Sequence, residues 1–221
     1  NDVMQTGLQK IEVNNGESQV YCYDVDGKKI FGEYKCILND KKWHYFDVKT
    51  GIMVTGFATI PVKSGGTKRV YYDNSGAMVY GEYKCNDNKW HYFNTASGRM
   101  VTGFATIPVK SGGKKKVYYD NNGAMVYGEY KCNDNKWHYF NTASGRMVTG
   151  FATIPVKSGG KKKVYYDNNG AMVYGEYKCN DNKWHYFNTA SGRMVTGFAT
   201  IPIKSGGKKK VYYDNNGEMV Y

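Results

Sequence analysis

Short aromatic runs alternate with polar, turn-forming segments along the whole chain. The run Trp90-His91-Tyr92-Phe93 follows Asn86-Asp87-Asn88-Lys89, and the run Val117-Tyr118-Tyr119 precedes Asp120-Asn121-Asn122-Gly123. Successive side chains of a strand face opposite sides, so Trp and Tyr of the first run should share one face and His and Phe the other. Asn, Asp and Gly tolerate the positive φ angles of tight turns, and no segment has helical periodicity. The pattern predicts short strands joined as β-hairpins.

The aromatic runs belong to a repeat of 47 residues. Residues 81–127 and 128–174 are identical, and residues 175–221 differ from them only at Ile203 and Glu218. Residues 32–80 form a more divergent copy, and residues 4–31 match the second half of a unit. Repetition at a fixed period is typical of stacked, repetitive folds.

Each repeat is a doublet of two unlike hairpins of about 22–25 residues. A lone hairpin is marginal in water, so successive hairpins must stack and share a core. We therefore predict an all-β fold, a β-hairpin solenoid. It should form a single repeat module over residues 1–221, with a partial doublet at 1–31 and doublets at 32–80, 81–127, 128–174 and 175–221. We interpret the chain as a fragment of a larger protein.

Composition and charge indicate which residues form the core and which partners are expected. The chain has 22 Tyr, 9 Phe and 4 Trp but only two Leu, so aromatic side chains must supply most of the core. The formal net charge of +12 suggests an anionic neighbourhood, such as nucleic acid, a membrane surface or a polyanionic wall polymer. No apolar run reaches the length of a membrane span, which argues against membrane insertion. No nucleic-acid-binding module is recognisable.

The repeated pattern resembles the cell-wall-binding repeat superfamily. The matching residues are Trp90 to Asn94, Gly98 to Phe104, Val117 to Asp120 and Gly123 to Met125, and the likeness recurs along the chain. That superfamily includes choline-binding modules of Gram-positive surface proteins and phage lysins, glucan-binding repeats of glucansucrases, and the receptor-binding repeats of large clostridial toxins. The resemblance implies a hairpin solenoid with ligands between successive hairpins.

In the choline-binding branch, aromatic side chains from two hairpins enclose a quaternary ammonium group by cation–π attraction. Carried over to this chain, the resemblance implies one cage in each doublet, and none where Val117, Val164 or Val211 takes the Trp position. The implied ligand-binding residues are Tyr34, Trp43 and Tyr72; Tyr83, Trp90 and Tyr119; Tyr130, Trp137 and Tyr166; and Tyr177, Trp184 and Tyr213.

The chain also departs from the choline-binding pattern. Its first-strand aromatic is Tyr or Phe rather than Trp, and the second hairpin carries the insert Ile107 to Lys114. A Tyr-rich groove with Asn, Asp and His nearby suits the stacking of sugar rings equally well, as in the glucan-binding branch. The ligand therefore stays open between choline and a glycan.

Three other recurrent features have structural and functional interpretations. The four His, each a doublet apart, form neither a catalytic group nor a metal cluster and are predicted to be structural or to make a polar contact with a ligand. The five Cys should be free, partly buried thiols, with Cys22 and Cys36 as the one pair on adjacent hairpins. The Lys-rich insert is either a solvated hairpin loop or a surface that attracts teichoic-acid phosphates.

These observations predict a non-catalytic module that attaches a larger protein to a bacterial surface. Its expected partner is choline-bearing teichoic acid or an extracellular glucan, and its expected location is secreted or at the cell surface. No catalytic residue, metal site or cofactor is predicted. The alternative is a ligand-free structural stalk whose length varies with repeat number.

Overall fold

The computed structural model describes residues 4–13, 16–203 and 205–220, and these residues form strands and turns without a helix. The strands are, in chain order, β1 (Gly7–Glu12), β2 (Ser18–Tyr23), β3 (Gly32–Lys35), β4 (Trp43–Phe46), β5 (Gly56–Pro61), β6 (Thr67–Tyr72), β7 (Gly81–Lys84), β8 (Trp90–Phe93), β9 (Gly103–Pro108), β10 (Lys114–Tyr119), β11 (Gly128–Lys131), β12 (Trp137–Phe140), β13 (Gly150–Pro155), β14 (Lys161–Tyr166), β15 (Gly175–Lys178), β16 (Trp184–Phe187), β17 (Gly197–Pro202), β18 (Lys208–Tyr213) and β19 (Met219–Val220). Consecutive strands pair as two-stranded sheets, and β19 adds a third strand to β17–β18. The prediction of an all-β hairpin solenoid is confirmed.

Hairpins of two lengths alternate from β3 to β18. The short hairpins, such as β11–β12, have four-residue strands and pair Gly128 with Phe140. The long hairpins, such as β13–β14, have six-residue strands and pair Gly150 with Tyr166. The registers make the Phe that ends a short hairpin equivalent to the Tyr that ends a long one.

The predicted turn residues do adopt positive φ angles. Asn88 has a φ of 62° and Gly123 a φ of 79°. A side chain at Gly123 would also collide with Met100 of the neighbouring turn. Glycine is therefore required there by both backbone geometry and packing.

The strand faces follow the predicted alternation. His91 and Phe93 are buried, whereas Trp90 is 39% exposed and Tyr92 is half-buried. The inward-facing residues form small clusters between neighbouring hairpins, for example Tyr71, Val79, Cys85 and Phe93. Aromatic and small apolar residues thus make the core that Leu makes in other proteins.

Backbone hydrogen bonds join each hairpin to the one before it. The Met78 amide donates to the Trp43 carbonyl at 2.7 Å, and the Met100 amide donates to the Arg69 carbonyl at 2.7 Å. The residues that follow each Met are thereby held against the second strand of the preceding hairpin.

The chain divides into two compact units. One unit comprises residues 1–102 and 119–125, and the other comprises residues 103–118 and 126–221. Strands β3, β7, β11 and β15 begin at the glycines that open the predicted doublets. The doublet boundaries and the larger parent protein remain predictions.

Candidate functional site

The Trp side chains stand on the outer face of the short hairpins. Trp43, Trp90, Trp137 and Trp184 are between 39% and 40% exposed, although each starts a strand whose next residue is buried. A half-exposed indole in every short hairpin offers repeated aromatic surface to solvent. The strand face that Trp was predicted to share with Tyr is therefore the outer one.

Tyr80 lies beside Trp43 in a groove of the first unit. The hydrogen bond from Met78 to the Trp43 carbonyl fixes the segment that leads to Tyr80, which is 39% exposed. The groove has a volume of about 440 Å³ and is lined by Trp43, Met78, Tyr80, Tyr83 and Asp73. Three aromatic rings from separate strands and turns thus border one concave surface.

The second unit repeats the Trp, Met and Tyr of this groove. The Met172 amide donates to the Trp137 carbonyl at 2.8 Å, and Trp137, Met172 and Tyr174 line one pocket. Trp137 is 40% exposed and Tyr174 39% exposed, nearly the values of the first unit. The two units therefore share the Trp, Met and Tyr of the groove, whereas the rest of the second pocket is lined by Glu129, Lys162, Ala190 and Ser191.

An ion pair between a buried lysine and an exposed glutamate lies next to each groove. Lys68 Nζ lies 2.8 Å from Glu33 Oε1, and Lys162 Nζ lies 2.8 Å from Glu129 Oε1. Burial raises the pKa of Tyr80 above its usual value, and the Glu33 carboxylate raises it further. The Tyr80 ring therefore stays protonated and neutral at physiological pH, as a cation-binding ring surface requires.

Asp73 places one negative charge in the groove of the first unit. Partial burial opposes its ionisation, but hydrogen bonds from Ser75 and from the Ala77 amide outweigh burial and lower the pKa of Asp73. The carboxylate is therefore ionised at neutral pH. Three exposed lysines also line this groove: Lys35, Lys41 and Lys42.

The structure groups the predicted cage residues differently from the sequence analysis. Tyr34 packs against the cluster of Cys22, Cys36 and Phe46, towards the preceding hairpin. Tyr83 packs against Tyr71 with a ring-centroid distance of 5.7 Å. Tyr130 and Tyr177 repeat the second contact with Tyr118 and Tyr165, also at 5.7 Å. The tyrosine predicted to share a cage with Trp43 was Tyr34, but Tyr83 is the one in its groove.

The third members of the predicted cages lie in the core. Tyr72, Tyr119, Tyr166 and Tyr213 are each 0% exposed, because they end the long hairpins on the inward face. They have no surface for a ligand in this structure. Tyr80 and Tyr174, which the sequence analysis missed, supply exposed rings. The available signal was the alternation of Met-Val-Tyr with Met-Val-Thr at the ends of successive hairpins.

The residue equivalent to Trp in the long hairpins is a cation, which corrects the predicted Val. Trp137 lies three residues before Phe140, and the matched register places Lys163 three residues before Tyr166. The Met194 amide donates to the Lys163 carbonyl, just as Met172 donates to Trp137. Val117 and Val164 are instead fully buried, and Val211 is half-buried, one position further along their strands.

These cations lie over aromatic rings of their own hairpins. Lys163 Nζ is 5.0 Å from the centroid of Phe151, and the Arg69 guanidinium is 5.0 Å from that of Phe57. Lys116 and Lys210 repeat the contact over Phe104 and Phe198. In each long hairpin, one face of the Phe ring is therefore already covered by a cation of the same hairpin.

The four His are structural. His91 is 1% exposed, its Nε2 lies 3.0 Å from the Asp87 carboxylate, and its ring meets Phe57 edge-on at 5.0 Å. Partial burial opposes ionisation of Asp87, but hydrogen bonds from the Lys89 amide and from His91 outweigh it and lower the pKa of Asp87. His44, His138 and His185 have the same contact with the Asp four residues earlier.

The five Cys are free and buried, as predicted. Desolvation raises the pKa of Cys85, Cys132 and Cys179 to about 12 each. These thiols therefore stay protonated and behave as small apolar groups.

The lysines of the insert have separate roles. Lys162 is 7% exposed and also donates to the Ser191 carbonyl at 2.9 Å, and Lys163 covers Phe151. Lys157 and Lys161 are exposed near the turn. Lys162 and Lys163 therefore contact other parts of the protein, whereas Lys157 and Lys161 belong to a solvated loop.

A second groove lies beside Trp in both units. In the first unit a groove of about 270 Å³ is lined by Trp43, Tyr45, Pro61, Val62 and Glu33. In the second unit a groove of about 810 Å³ is lined by Trp184, Tyr177, Pro202, Ile203 and Glu176. We call this surface the proline-side groove, since the insert of the long hairpin supplies its Pro.

Residues 4–13, 16–203 and 205–220 contain no group of three or more His, Cys, Asp or Glu that could hold a metal ion. The same residues contain no helix long and apolar enough to cross a membrane.

Solved structures of choline-binding proteins share this fold. CbpF of Streptococcus pneumoniae, solved in complex with ipratropium, is 25% identical with a TM-score of 0.68, and the match covers 99% of this chain and 73% of CbpF. The choline-binding domain of CbpL from the same organism is 16% identical with a TM-score of 0.58, and 98% of each chain is covered. No curated protein sequence is detectably similar to the chain.

The sequence also matches a family model. The choline-binding repeat model matches residues 54–104, 101–151 and 148–198, which together make up more than half of the chain. This match agrees with the alternation of hairpins and the aromatic grooves. The chain belongs to the choline-binding repeat family.

Proposed function

We propose that the chain binds phosphocholine groups of a bacterial wall polymer in the grooves formed by Trp43 with Tyr80 and by Trp137 with Tyr174, and so attaches a larger secreted protein to the cell surface. The observation that carries the proposal is the recurrence of half-exposed Trp and Tyr beside a Met in both units. Several aromatic faces around one point attract a quaternary ammonium group, each by about 0.5–2 kcal/mol.

The charges of the first-unit groove favour phosphocholine over choline alone. The ionised Asp73 attracts the ammonium group, and Lys35, Lys41 and Lys42 complement an adjacent phosphate. A zwitterionic ligand therefore matches both signs of charge in the groove.

Weak sites on one chain support firm attachment. After one group of a polymer is bound, the next binding event is effectively intramolecular, so avidity exceeds the affinity of each site. Trp90 and Trp184 occupy the same repeat position as Trp43 and Trp137. The proposed role is binding without catalysis.

Titration calorimetry and Trp fluorescence test the proposal with phosphocholine, choline and the ipratropium recorded with CbpF. We expect saturable binding that is tighter for phosphocholine than for choline. The double variant Tyr80→Ala/Tyr174→Ala should lose those two sites. Phe198→Ala is the matched control, because Phe198 is 73% exposed and lies outside these grooves. Absence of binding, or equal loss in the control, would contradict the proposal and favour a structural stalk.

The proline-side groove supports a second candidate function, the stacking of a glycan ring. Trp43 provides a flat apolar surface, and the charge of Glu33 is already compensated by Lys68 at 2.8 Å. The exposed Lys63 also lines the groove and can donate a hydrogen bond to a hydroxyl. A neutral sugar fits such a site, since its C–H face packs on aromatic carbon and its hydroxyls bond to the rim.

Glycan binding has its own test. Oligosaccharides of α-glucan and of peptidoglycan should perturb Trp fluorescence in the wild type. Pro61→Gly should weaken that response without changing phosphocholine affinity, because Pro61 does not line the Tyr80 groove. If phosphocholine quantitatively displaces the sugar, both ligands use one groove and the second site is wrong.

A further inference from the structure

Two buried thiols meet at the junction of the first two hairpins. Cys22 in β2 and Cys36 after β3 have their Sγ atoms 3.5 Å apart, and each residue is 1% exposed. Phe46 completes their cluster.

The corresponding junctions elsewhere are built differently. β2 pairs Gly7 with Tyr23 as β6 pairs Gly56 with Tyr72, so Cys22 takes the place of Tyr71. Tyr71 packs on Cys85. Its hydroxyl accepts a hydrogen bond from the Asn86 amide at 3.0 Å, which ties the two hairpins together.

The same tie recurs in the second unit, where Tyr118 and Tyr165 accept hydrogen bonds from the Asn133 and Asn180 amides. At the first junction the Tyr is absent, and a second thiol faces the repeat's own Cys. The replacement removes one hairpin-to-hairpin hydrogen bond and creates one thiol pair.

We propose that Cys22 and Cys36 form a disulfide that links hairpin β1–β2 covalently to hairpin β3–β4. A disulfide bond is about 2.05 Å long, so the sulfurs must approach by about 1.5 Å in total. The link replaces the hydrogen bond that Tyr71, Tyr118 and Tyr165 provide at the other junctions.

The reaction balances with a small external disulfide such as oxidised glutathione as the oxidant. The Cys22 thiolate attacks one sulfur of glutathione disulfide, forming a mixed disulfide and releasing one glutathione thiolate. The Cys36 thiolate then attacks the Cys22 sulfur and releases the second glutathione thiolate. The two protons of the cysteine thiols pass to the two released thiolates, and two electrons pass from the cysteine pair to glutathione.

Burial makes the reaction selective but slow. Both sulfurs are covered in the folded chain, so exchange requires the hairpins to separate briefly or to be oxidised as they assemble. The other three cysteines each share a cluster with a tyrosine instead of a second thiol: Cys85 with Tyr71, Cys132 with Tyr118, and Cys179 with Tyr165. We expect these three thiols to stay reduced.

Thiol counting on the whole chain tests the pair. The folded protein is equilibrated with glutathione buffers of increasing oxidising strength, quenched in acid, denatured and alkylated, and then analysed by mass spectrometry. Of the five thiols, two should be protected after oxidation and none after reduction. Peptide mapping should show Cys22 joined to Cys36, since Lys28, Lys29 and Lys35 allow trypsin to separate them.

Hydrogen exchange tests the structural consequence. Oxidation should slow exchange of the Gly7–Glu12 amides by on the order of tenfold or more, because the link restricts the separated state. Cys22→Tyr restores the residue of the other junctions, and its exchange should not respond to oxidation.

Either of two results would overturn the proposal: five alkylated thiols at every redox ratio, or cross-linked peptides that contain Cys85, Cys132 or Cys179. The count in the wild-type chain is decisive even if Cys22→Tyr folds poorly. None of these readouts depends on whether the grooves bind phosphocholine.

Discussion

The short and long hairpins place equivalent aromatic residues in the core but carry different residues on their outer face. Within the second unit, Phe140 and Tyr166 hold equivalent core positions, and both are 0% exposed. On the outer face, the short hairpin has Trp137 near Tyr174, whereas the long one has Lys163 over its own Phe151. One backbone thus carries an open aromatic groove and a face already occupied by a cation.

The difference teaches how a repeat limits its number of binding sites. The tyrosine after Met172 is replaced by Thr196 after Met194, so both rings of the groove are absent from the alternate position. A ring covered by a tethered lysine attracts a free cation less, because the ring face is used intramolecularly. We therefore expect ligands at the short hairpins only.

The largest expected effect separates the shared core from the outer face. Phe140→Ala should lower the free energy of unfolding by about 3–5 kcal/mol, because it leaves a cavity in a fully buried cluster. Trp137→Ala on the same strand should cost much less stability, since Trp137 is 40% exposed. Urea denaturation followed by circular dichroism measures both. Equal losses would show that the Trp is a core residue.

The next prediction converts one kind of outer face into the other. Trp137→Lys places the residue of a long hairpin in a short one and should remove one binding equivalent for phosphocholine. Loss of one aromatic wall, worth about 0.5–2 kcal/mol, should weaken that site by up to about 30-fold. The accompanying change in stability should be small, because the substituted side chain is half-exposed. Calorimetric stoichiometry is the measurement. An unchanged number of sites would break the comparison.

A smaller effect concerns the core position where the hairpins differ by one hydroxyl. The Tyr166 hydroxyl is buried and makes no hydrogen bond to the described residues. Tyr166→Phe introduces the residue of the short hairpin and should raise the free energy of unfolding by about 1 kcal/mol, because an unsatisfied buried hydroxyl is costly. A decrease in stability would mean that the hydroxyl has a partner. Tyr72→Phe is the matched change in the other unit.

The smallest expected effect is the pH dependence of the short-hairpin turn. The pKa of Asp134 is lowered, so its ionised form stabilises the fold: the contribution is complete above the usual Asp pKa of about 4 and is lost as pH falls through the lower folded value. Asp134→Asn should therefore reduce stability at pH 7 and approach the wild type in acid. The exposed Asp26→Asn is the control, and urea denaturation at several pH values is the measurement. A deficit that persists in acid would exclude the charge as its cause.

Local chemistry explains what could be predicted of the fold. The turn residues Asn88 and Gly123, the alternation around Trp90 and the 47-residue period each report on a few neighbouring residues. Short-range rules on φ angles and strand faces suffice for such features. The hairpins and the placement of Trp90 and His91 on opposite strand faces followed from them.

The partners across hairpins could not be predicted in the same way. Similarity of residue types aligns Trp90 with Val117. The strand register instead makes Trp90 equivalent to Lys116, one residue earlier. In a strand, an error of one residue exchanges the inner and outer faces. The same error hid Lys163 over Phe151 and made Tyr72 and Tyr166 look available to a ligand.

The sequence by itself determined the class of fold, the repeat and the family, because these depend on patterns that recur along the chain. Only the tertiary structure decided which rings share a groove. Tyr80 lies beside Trp43 because the Met78 amide donates a hydrogen bond to the Trp43 carbonyl, 35 residues earlier in the chain. It also decided that Cys22 faces Cys36 where other junctions have a Tyr. Contacts of this kind depend on how each hairpin stacks on the one before it, and that stacking is fixed by packing across the whole repeat.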